Sequence, residues 1–459
     1  MSRKRFPRSM SRLCILFAAV AALASSASAE CKEKVLYSFQ GGTDGILPVG
    51  RMVFDKAGRL YGATTDGGAY TCAPTQCGTV FQLAPPAKAG DPWSETVLYI
   101  FKGNASGDGN TPAGGLVMGD SGRLYGTTAY GGTGSCVLLG GTVGCGTVYE
   151  LSPPAEKGGA WTETVLYSFQ SGNDGYLPSG DLVFDQAGNL YGATQYGGGG
   201  GAGNCNPFYQ FCGTIFELSP PKTKGGAWTE QVLYSFKGGT DGANPNGGLL
   251  LNAEGMIFGT TQFGGNQLCQ TAGGTGCGTA FELVPSRKKA GGWSERMLHR
   301  FQAGKDGAGP DGNMVWGARG NLYGTTFGGG NENGTVFRLT PPAHGDGWTE
   351  QLVHIFKSCG SQDGCSPGSG PMFDSSGNLY GTAGGGAHPG GVVFQMKPST
   401  QGGNDWMFDV DYNFTGSPDG YGPVGLVFRE SGEIYGTTQY GGTGQACSGG
   451  CGVVFEVSP

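Results

Sequence analysis

Residues 181–194 read DLVFDQAGNLYGAT, two short apolar runs joined by a tight turn. The second run contains the phrase Leu-Tyr-Gly. This phrase or a close variant recurs along the chain, with its glycine at positions 62, 126, 192, 259, 324, 381 and 436. Successive copies are 55 to 67 residues apart, and such self-similarity indicates a repeat architecture. Seven copies therefore set the organisation of the chain.

Each copy contains four runs that are typical of β-strands. In the third copy they are residues 181–184, 189–194, 213–218 and 228–236, with Gly, Pro, Asn and Asp at the boundaries. No segment keeps a helical period. Four strands repeated seven times predict an all-β fold, a seven-bladed β-propeller with four antiparallel strands per blade, in preference to a stacked solenoid with capped ends. The blades are predicted at about 50–101, 115–169, 180–236, 247–301, 312–356, 369–414 and 424–457 plus 33–39.

The two ends of the chain predict how the ring closes. Residues 35–39, VLYSF, are a fourth-type strand with no copy before them, and residues 452–457 are a third-type strand with no fourth strand after them. Glu33 precedes Val35 as Glu95, Glu163, Glu230, Glu295 and Glu350 precede the other fourth strands, whereas Phe408 takes this place in the sixth copy. We expect residues 33–39 to complete the C-terminal blade, which leaves no open sheet edge.

The first 29 residues are predicted to be a signal peptide. They begin with basic residues, continue with an apolar run at 13–23, and end in Ala27-Ser28-Ala29, a typical cleavage site. Cleavage after Ala29 would leave residues 30–459 as a single propeller domain. We therefore expect a secreted protein, extracellular or periplasmic, and no membrane span.

The charge balance bears on partners. Without the five basic residues of the signal, 28 − 5 = 23 Lys and Arg face 35 Asp and Glu, a formal net charge of about −12. Such a charge argues against nucleic acid as a partner. We expect a monomer that engages a glycan or an extracellular protein.

Cysteine usage agrees with export. Twelve cysteines form close pairs that are typical of local disulfides in a secreted chain, while their spacings suit zinc poorly. The predicted pairs are Cys72/Cys77, Cys136/Cys145, Cys205/Cys212, Cys269/Cys277, Cys359/Cys365 and Cys447/Cys451. Cys31 is left over, either free or paired elsewhere.

The repeated phrases, GLVFD-x-x-GNLYGTT, then GG, then CGTVFEL-x-PP, then W-T-E-T-VLYSF, resemble the extracellular tandem-repeat family of Gloeobacter and Verrucomicrobia (GloVer repeats) from residue 35 to residue 457. The resemblance implies export and, in many members, a C-terminal surface anchor, but it implies no established reaction. The chain shows no sorting tail after Val457, so free secretion is expected. The first hairpin also resembles the pattern of NHL-type and lactonase-like propellers, which bears on fold and only by analogy on function.

Strand order places the long loops on one face. Loops between the second and third strands, and loops from the fourth strand to the next blade, must lie at the same end of the blades. Both sets carry the paired cysteines, and loops on a rigid scaffold are common binding sites. An aromatic residue followed by Gly-Gly recurs there, and these residues are the candidate ligand-binding set: Tyr130, Tyr196, Phe263, Phe327 and Tyr440. They either stack on a ligand or pack between neighbouring blades.

Other recurring residues favour structural roles. Asp before Gly in the fourth-to-first loops suggests Asx-type turns, with calcium as the alternative. The tryptophans that open the fourth strands are expected to pack beside the Pro-Pro segments. His299 and His354 replace the tyrosine of VLYSF. No metal site and no cofactor are predicted.

Nothing in the sequence matches a catalytic motif, and repeated carboxylates single out no acid pair. The leading hypothesis is a secreted, non-catalytic binding or scaffold propeller that engages a glycan or an exported protein through its disulfide-bearing loops. The alternatives are a secreted hydrolase or lyase acting on polysaccharide or a lactone, with acids at the channel mouth, and a structural surface component.

Overall fold

The computed structural model describes residues 32–72, 75–88, 90–138, 141–199, 212–267, 269–271, 274–286, 292–304, 306–344, 347–399, 405–429 and 431–458. The predicted signal peptide, Cys31 and Cys205 lie outside these residues.

The repeat folds into seven four-stranded sheets, here blades 1 to 7, with strands a to d from the channel outward. The strands of blade 1 are Ile46–Phe54, Leu60–Asp66, Thr79–Ala84 and Ser94–Ile100. Those of blade 2 are Gly109–Pro112 with Val117–Met118, Leu124–Gly131, Thr147–Ser152 and Thr162–Ser168. Those of blade 3 are Tyr176–Phe184, Leu190–Tyr196, Thr214–Ser219 and Thr229–Ser235. The strands of blade 4 are Gly242–Ala243 with Leu250–Leu251, Ile257–Thr261 with Phe263–Gly264, Thr279–Pro285 and Trp293–Arg300. Those of blade 5 are Ala308–Trp316, Leu322–Gly328, Thr335–Thr340 and Thr349–Ile355. Blade 6 has Met372–Phe373, Leu379–Ala383, Val392–Pro398 and Trp406–Asn413.

Blade 7 closes the ring as the sequence predicts. Its strands a to c are Tyr421–Phe428, Ile434–Tyr440 and Val453–Ser458, and its strand d is the N-terminal segment Lys32–Ser38. The two ends pair antiparallel, from Lys32 opposite Ser458 to Ser38 opposite Val453. The all-β, seven-bladed propeller is therefore confirmed, and both terminal strands are hydrogen-bonded within one sheet, with Lys32–Ser38 as its outer strand.

Small elements decorate the loops. They are the hairpins Thr71–Cys72 with Thr75–Gln76, Val137–Leu138 with Gly141–Thr142 and Gln270–Thr271 with Gly274–Thr275, and the short 3-10 helices Gly42–Asp44, Asn104–Ser106, Asp120–Gly122 and Ala318–Gly320. Within the described residues, no helix is long and apolar enough to cross a membrane.

The hydrophobic core lies between the blades. The phenylalanine that ends each VLYSF-like phrase is fully buried against an aromatic ring of strand c in the next blade, as Phe236 is against Phe281 with ring centroids 5.1 Å apart. The other pairs, at 4.9–5.5 Å, are Phe39–Phe81, Phe101–Tyr149, Phe169–Phe216, Phe301–Phe337, Phe356–Phe394 and Phe414–Phe455. Edge-to-face contacts of this kind stabilise beyond the burial of apolar area. The repeat thus builds its core from contacts between successive copies.

The tryptophans also pack between blades. Trp161 of blade 2 lies 6.1 Å from Tyr61 of blade 1, and Trp93 of blade 1 lies 6.1 Å from Tyr435 of blade 7. In these pairs, and for Trp228, Trp348 and Trp406, the partner ring is the aromatic residue of the Leu-Tyr-Gly phrase in the preceding blade. Their role is structural, with the neighbouring blade as the partner.

Five of the six predicted disulfides join described residues: Cys72–Cys77, Cys136–Cys145, Cys269–Cys277, Cys359–Cys365 and Cys447–Cys451. Cys212 is disulfide-bonded too, while its predicted partner Cys205 lies outside the described residues. Local disulfides of this number are typical of proteins that fold in an oxidising compartment.

Candidate functional site

The loops between strands b and c meet the loops that lead from strand d to the next strand a, and together they form what we call the loop face. Backbone hydrogen bonds join the two sets in each of the first three blades: the N–H groups of Gly68, Gly132 and Gly198 donate to the carbonyls of Gly42, Asp108 and Gly172 at 2.6–2.7 Å. The five disulfides lie in these loops. The face is therefore a cross-linked surface on which side chains can be held in fixed positions.

Four of the five candidate aromatic residues occupy one equivalent position. In each of their blades a threonine hydroxyl donates to the backbone carbonyl two residues later, at Tyr130, Tyr196, Phe263 and Tyr440. In blade 5 the same bond runs from Thr326 to Gly328. Phe327 is therefore one residue out of register, and because side chains alternate along a strand it points to the opposite side of the sheet.

The aromatic residues also differ in exposure. Tyr130, Tyr196 and Phe263 are half-buried, and Phe263 packs against the core between blades 3 and 4. Phe327 is 53% exposed and Tyr440 is 41% exposed. Packing thus accounts for Phe263, whereas Tyr440 presents much of its ring to solvent.

Tyr440 forms a groove with a second tyrosine, which the sequence analysis did not single out. Tyr421 on strand a lies opposite Tyr440 on strand b, with the ring centroids 6.1 Å apart and the rings inclined at 66°. Tyr421 is 46% exposed. The two rings border a cavity of about 860 Å³, the Tyr421–Tyr440 groove, which is otherwise lined by Ser417, Thr443, Gln445 and five glycines of the loop face.

The same tyrosine pair occurs in blade 3 in a different setting. Tyr176 lies opposite Tyr196, with centroids 5.5 Å apart and the rings inclined at only 31°. Both rings are half-buried, and Tyr176 packs against the core between blades 2 and 3. Blade 3 is therefore a natural internal control for the groove in blade 7.

The central channel is a second candidate site, and its polar residues were missed by the sequence analysis. Strands a of the seven blades enclose a cavity of about 240 Å³ with at least one glycine from every blade on its wall. An added Cβ at Gly50 would overlap the backbone nitrogen of Gly115, and Gly50 has a φ of +66°, so only glycine allows this approach. The polar residues of the wall are Arg51, Asp181, Asn246, Asp311, Asn313, Ser369 and Gln439.

Four of these polar residues form two hydrogen-bonded pairs between blades. The Asn313 side-chain amide donates to Asp181 Oδ2 at 2.6 Å, which joins blade 5 to blade 3, and the Gly115 N–H donates to Asp181 Oδ1 at 2.6 Å. Asn246 Nδ2 donates to Asp311 Oδ1 at 2.8 Å, and burial raises the pKa of the Asp311 carboxyl. Buried polar groups are costly unless they are bonded, so these bonds satisfy the carboxyl groups and connect blade 5 to blades 3 and 4.

The repeated aspartates of the loop face have a structural partner at every blade boundary. Each belongs to what we call an interface unit: a Tyr or His of strand d, the Asp of the following loop, and a Glu or Phe of strand d in the next blade. In blade 1, Tyr99 Oη and the Lys102 N–H donate to Asp108 Oδ2 at 2.8 and 2.9 Å. The aspartates thus serve as hydrogen-bond acceptors that fix the loops, in keeping with the turn interpretation.

The glutamates of the interface units are half-buried beside these aspartates. Burial, followed by the charge of the nearby aspartate, raises the pKa of Glu163 to about 8 and that of Glu33, Glu95, Glu230, Glu295 and Glu350 to about 7. His299 and His354 take the tyrosine position, 3.1 Å from Asp306 and 3.3 Å from Asp363. At His354 the glutamate is replaced by Phe408, whose ring stacks on the imidazole at 3.9 Å.

Solved structures with a similar fold include several enzymes. A fungal alcohol oxidase in complex with copper is 12% identical, with a TM-score of 0.50 over 94% of this chain and 76% of its own. A polysaccharide lyase, an ulvan lyase bound to an oligosaccharide, is 10% identical, with a TM-score of 0.48 over 91% and 94%. A luciferin-regenerating enzyme is 11% identical, with a TM-score of 0.42 over 94% and 95%. At such identities the likeness concerns the fold alone.

No curated protein matches the sequence significantly. The Gloeobacter/Verrucomicrobia repeat, in contrast, matches residues 24–205 and 267–459, which is most of the chain. The match covers repeats in both the N-terminal and the C-terminal half of the chain, in agreement with the recurring phrases. The chain belongs to the Gloeobacter/Verrucomicrobia repeat family.

Proposed function

We propose that the protein is an exported, non-catalytic binding propeller and that the Tyr421–Tyr440 groove takes a neutral glycan. The observation that carries the proposal is the pair of exposed tyrosine rings on the border of a cavity of about 860 Å³. That volume lies within the range of about 300–1,000 Å³ that is typical of small-ligand sites.

The composition of the groove suits a sugar. Aromatic faces stack on the apolar faces of sugar rings, and their hydroxyl groups can bond to the ligand. Ser417, Thr443 and Gln445 add side chains that can both donate and accept hydrogen bonds. None of the ten lining residues is charged, which favours a neutral ligand over an acidic polysaccharide.

Export is part of the proposal. The basic start, the apolar run and the Ala27-Ser28-Ala29 site favour removal of residues 1–29, and the disulfides of the loop face suit an oxidising compartment. The mature chain would then be the single propeller domain 30–459, acting as a monomer outside the cytoplasm.

A neutral-glycan array followed by titration calorimetry on the best ligand tests the proposal. We expect Tyr440→Ala and Tyr421→Ala each to weaken binding by about tenfold or more, the equivalent of about 1.4 kcal/mol. Phe327→Ala is the matched control, because Phe327 is also an exposed aromatic residue of the loop face but lies outside the groove. Retention of no neutral glycan, or equal affinity for the wild type and Tyr440→Ala, would overturn the proposal.

A second candidate function is hydrolysis or elimination on a polysaccharide or a lactone in the channel. It is favoured by two carboxyl groups, Asp181 and Asp311, in a channel where burial raises the pKa of Asp311. Activity screening on these substrate classes tests it. Turnover that is lost in Asp311→Asn but kept in Tyr440→Ala would establish the channel, and not the groove, as the working site.

A further inference from the structure

One interface unit differs from the other six in the chemistry of its side chains. Between blades 4 and 5 the unit consists of His299, Asp306 and Glu350. Five other units contain Tyr, Asp and Glu, and the unit between blades 5 and 6 contains His354, Asp363 and Phe408. Only this unit combines an imidazole with two carboxyl groups.

The three side chains converge. His299 Nε2 lies 3.1 and 3.2 Å from the two carboxylate oxygens of Asp306. One ligand atom from each of His299, Asp306 and Glu350 lies within 4.8 Å of the other two. Donor atoms around a tetrahedral zinc ion are about 3.4 Å apart when each lies about 2.1 Å from the ion, so small side-chain shifts would bring all three into coordination.

The group also has unused ligand capacity. Glu350 Oε1 is buried and has no hydrogen-bond partner among the described residues, as is true of the glutamates in the five Tyr-containing units, so the imidazole is what distinguishes this unit. The carboxyl groups of Asp306 and Glu350 lie side by side with the imidazole of His299 at this boundary. A cation among the three side chains would give this buried oxygen a partner. The side chains of His299 and Asp306 are 16% and 19% exposed, so an ion can reach the site from solvent.

We propose that His299, Asp306 and Glu350 form a binding site for a divalent transition-metal ion of the zinc class. An imidazole nitrogen with carboxylate oxygens is a donor set that zinc accepts, whereas calcium takes six to eight oxygens. Three protein ligands leave at least one coordination position for water or another small ligand. The site lies at a blade boundary and is independent of the Tyr421–Tyr440 groove.

The chain itself supplies the control variants. His299→Tyr restores the residue found at this position in five other units and removes the nitrogen ligand with little expected disturbance of the fold. Tyr234→His does the reverse between blades 3 and 4, where Tyr234 Oη donates to Asp241 Oδ1 at 3.0 Å and Glu295 is the third member. One substitution should therefore remove a site and the other should create one.

The test is calorimetric titration with ZnCl₂ of tag-free protein from which a chelator has removed any metal. Metal analysis of the dialysed protein gives the stoichiometry. We expect one zinc per wild-type chain, none at this affinity in His299→Tyr, at least tenfold weaker binding in Glu350→Gln, and two zinc ions in Tyr234→His. CaCl₂ should give no comparable binding. The same stoichiometry and affinity in the wild type and His299→Tyr, with the fold of both checked by circular dichroism, would overturn the proposal.

Discussion

The blade boundaries and the central channel are built from the same repeat but use it in opposite ways. At the boundaries, a buried phenylalanine meets an aromatic ring of the next blade seven times. In the channel, positions that are equivalent between blades hold different residues, such as Arg51 and Asp181. The comparison teaches that repeated residues of this chain make the contacts between blades, whereas the residues that vary between blades include the polar residues of the channel wall.

The largest effect is expected at the repeated aromatic contact. Phe236 is fully buried and lies 5.1 Å from Phe281, so Phe236→Ala should lower the free energy of unfolding by about 3–5 kcal/mol through lost burial and a cavity. Urea unfolding measures this change in the free energy of unfolding. Phe169→Ala should give a similar loss, and exposed Phe327→Ala should stay within about 0.5 kcal/mol. Unequal losses at Phe236 and Phe169 would break the equivalence of the boundaries.

An intermediate effect is expected from a loop-face disulfide. Cys447 and Cys451 are four residues apart, and replacing both by Ala should cost about 2 kcal/mol in the loop-closure account. The Cys359/Cys365 pair should cost nearly the same, because its loop is of similar length. Cys451 also accepts a backbone hydrogen bond from Leu47 of blade 1. A markedly larger loss at Cys447/Cys451 would mean that this bridge also holds the ring closed.

The smallest effect is expected from one interface-unit glutamate. The pKa of Glu163 rises from 4.5 to about 8 on folding, so the folded state binds the proton more tightly than the unfolded state. Its contribution is fully present below pH 4.5 and is lost as the pH rises through 8. Glu163→Gln should therefore leave stability at pH 4 nearly unchanged and raise it at pH 9, by less than about 1 kcal/mol because solvent screens the group.

Denaturation of the wild type and Glu163→Gln at both pH values measures this difference. The wild type itself should lose stability between pH 5 and pH 8, since five further glutamates have a pKa raised to about 7. Identical pH dependence in the two proteins would show that Glu163 ionises as freely in the folded state as in the unfolded state.

The fold could be predicted from the sequence because the recurring phrases show where each copy of the repeat begins and ends. The register of Glu33 predicts the pairing of the N-terminal strand, and Glu33 indeed lies opposite Val457 as Glu95 lies opposite Leu83. The histidine substitutions were equally readable, since His299 keeps the tyrosine's bond to the loop aspartate. The repeated pattern was enough to predict the position of a side chain whose partners lie in its own blade or in the next blade.

The candidate sites could be predicted from the sequence only in part. Tyr440 was identified, but its partner Tyr421 belongs to another strand and looks ordinary in the sequence. Phe327 was grouped with Tyr440, although counting from the threonine pair shows the one-residue offset. The channel residues escaped notice because six of the seven polar ones occupy variable positions between a Pro and a Leu or Met, and their significance depends on seven strands converging in space. Asn313 and Asp181 are 132 residues apart and touch only across the channel.

The pairing of Lys32 with Ser458 also has a consequence for the order in which the protein folds. The strand Lys32–Ser38 is synthesised first and has no sheet partner until the last strand, Val453–Ser458, is complete. Contacts between residues so far apart in sequence form slowly and carry a cost in loop entropy. The six earlier sheets can form as their residues emerge, but the seventh waits for the end of the chain. A protease added during refolding should therefore cut the unpaired N-terminal segment first, and resistance of that segment would report that the ring has closed.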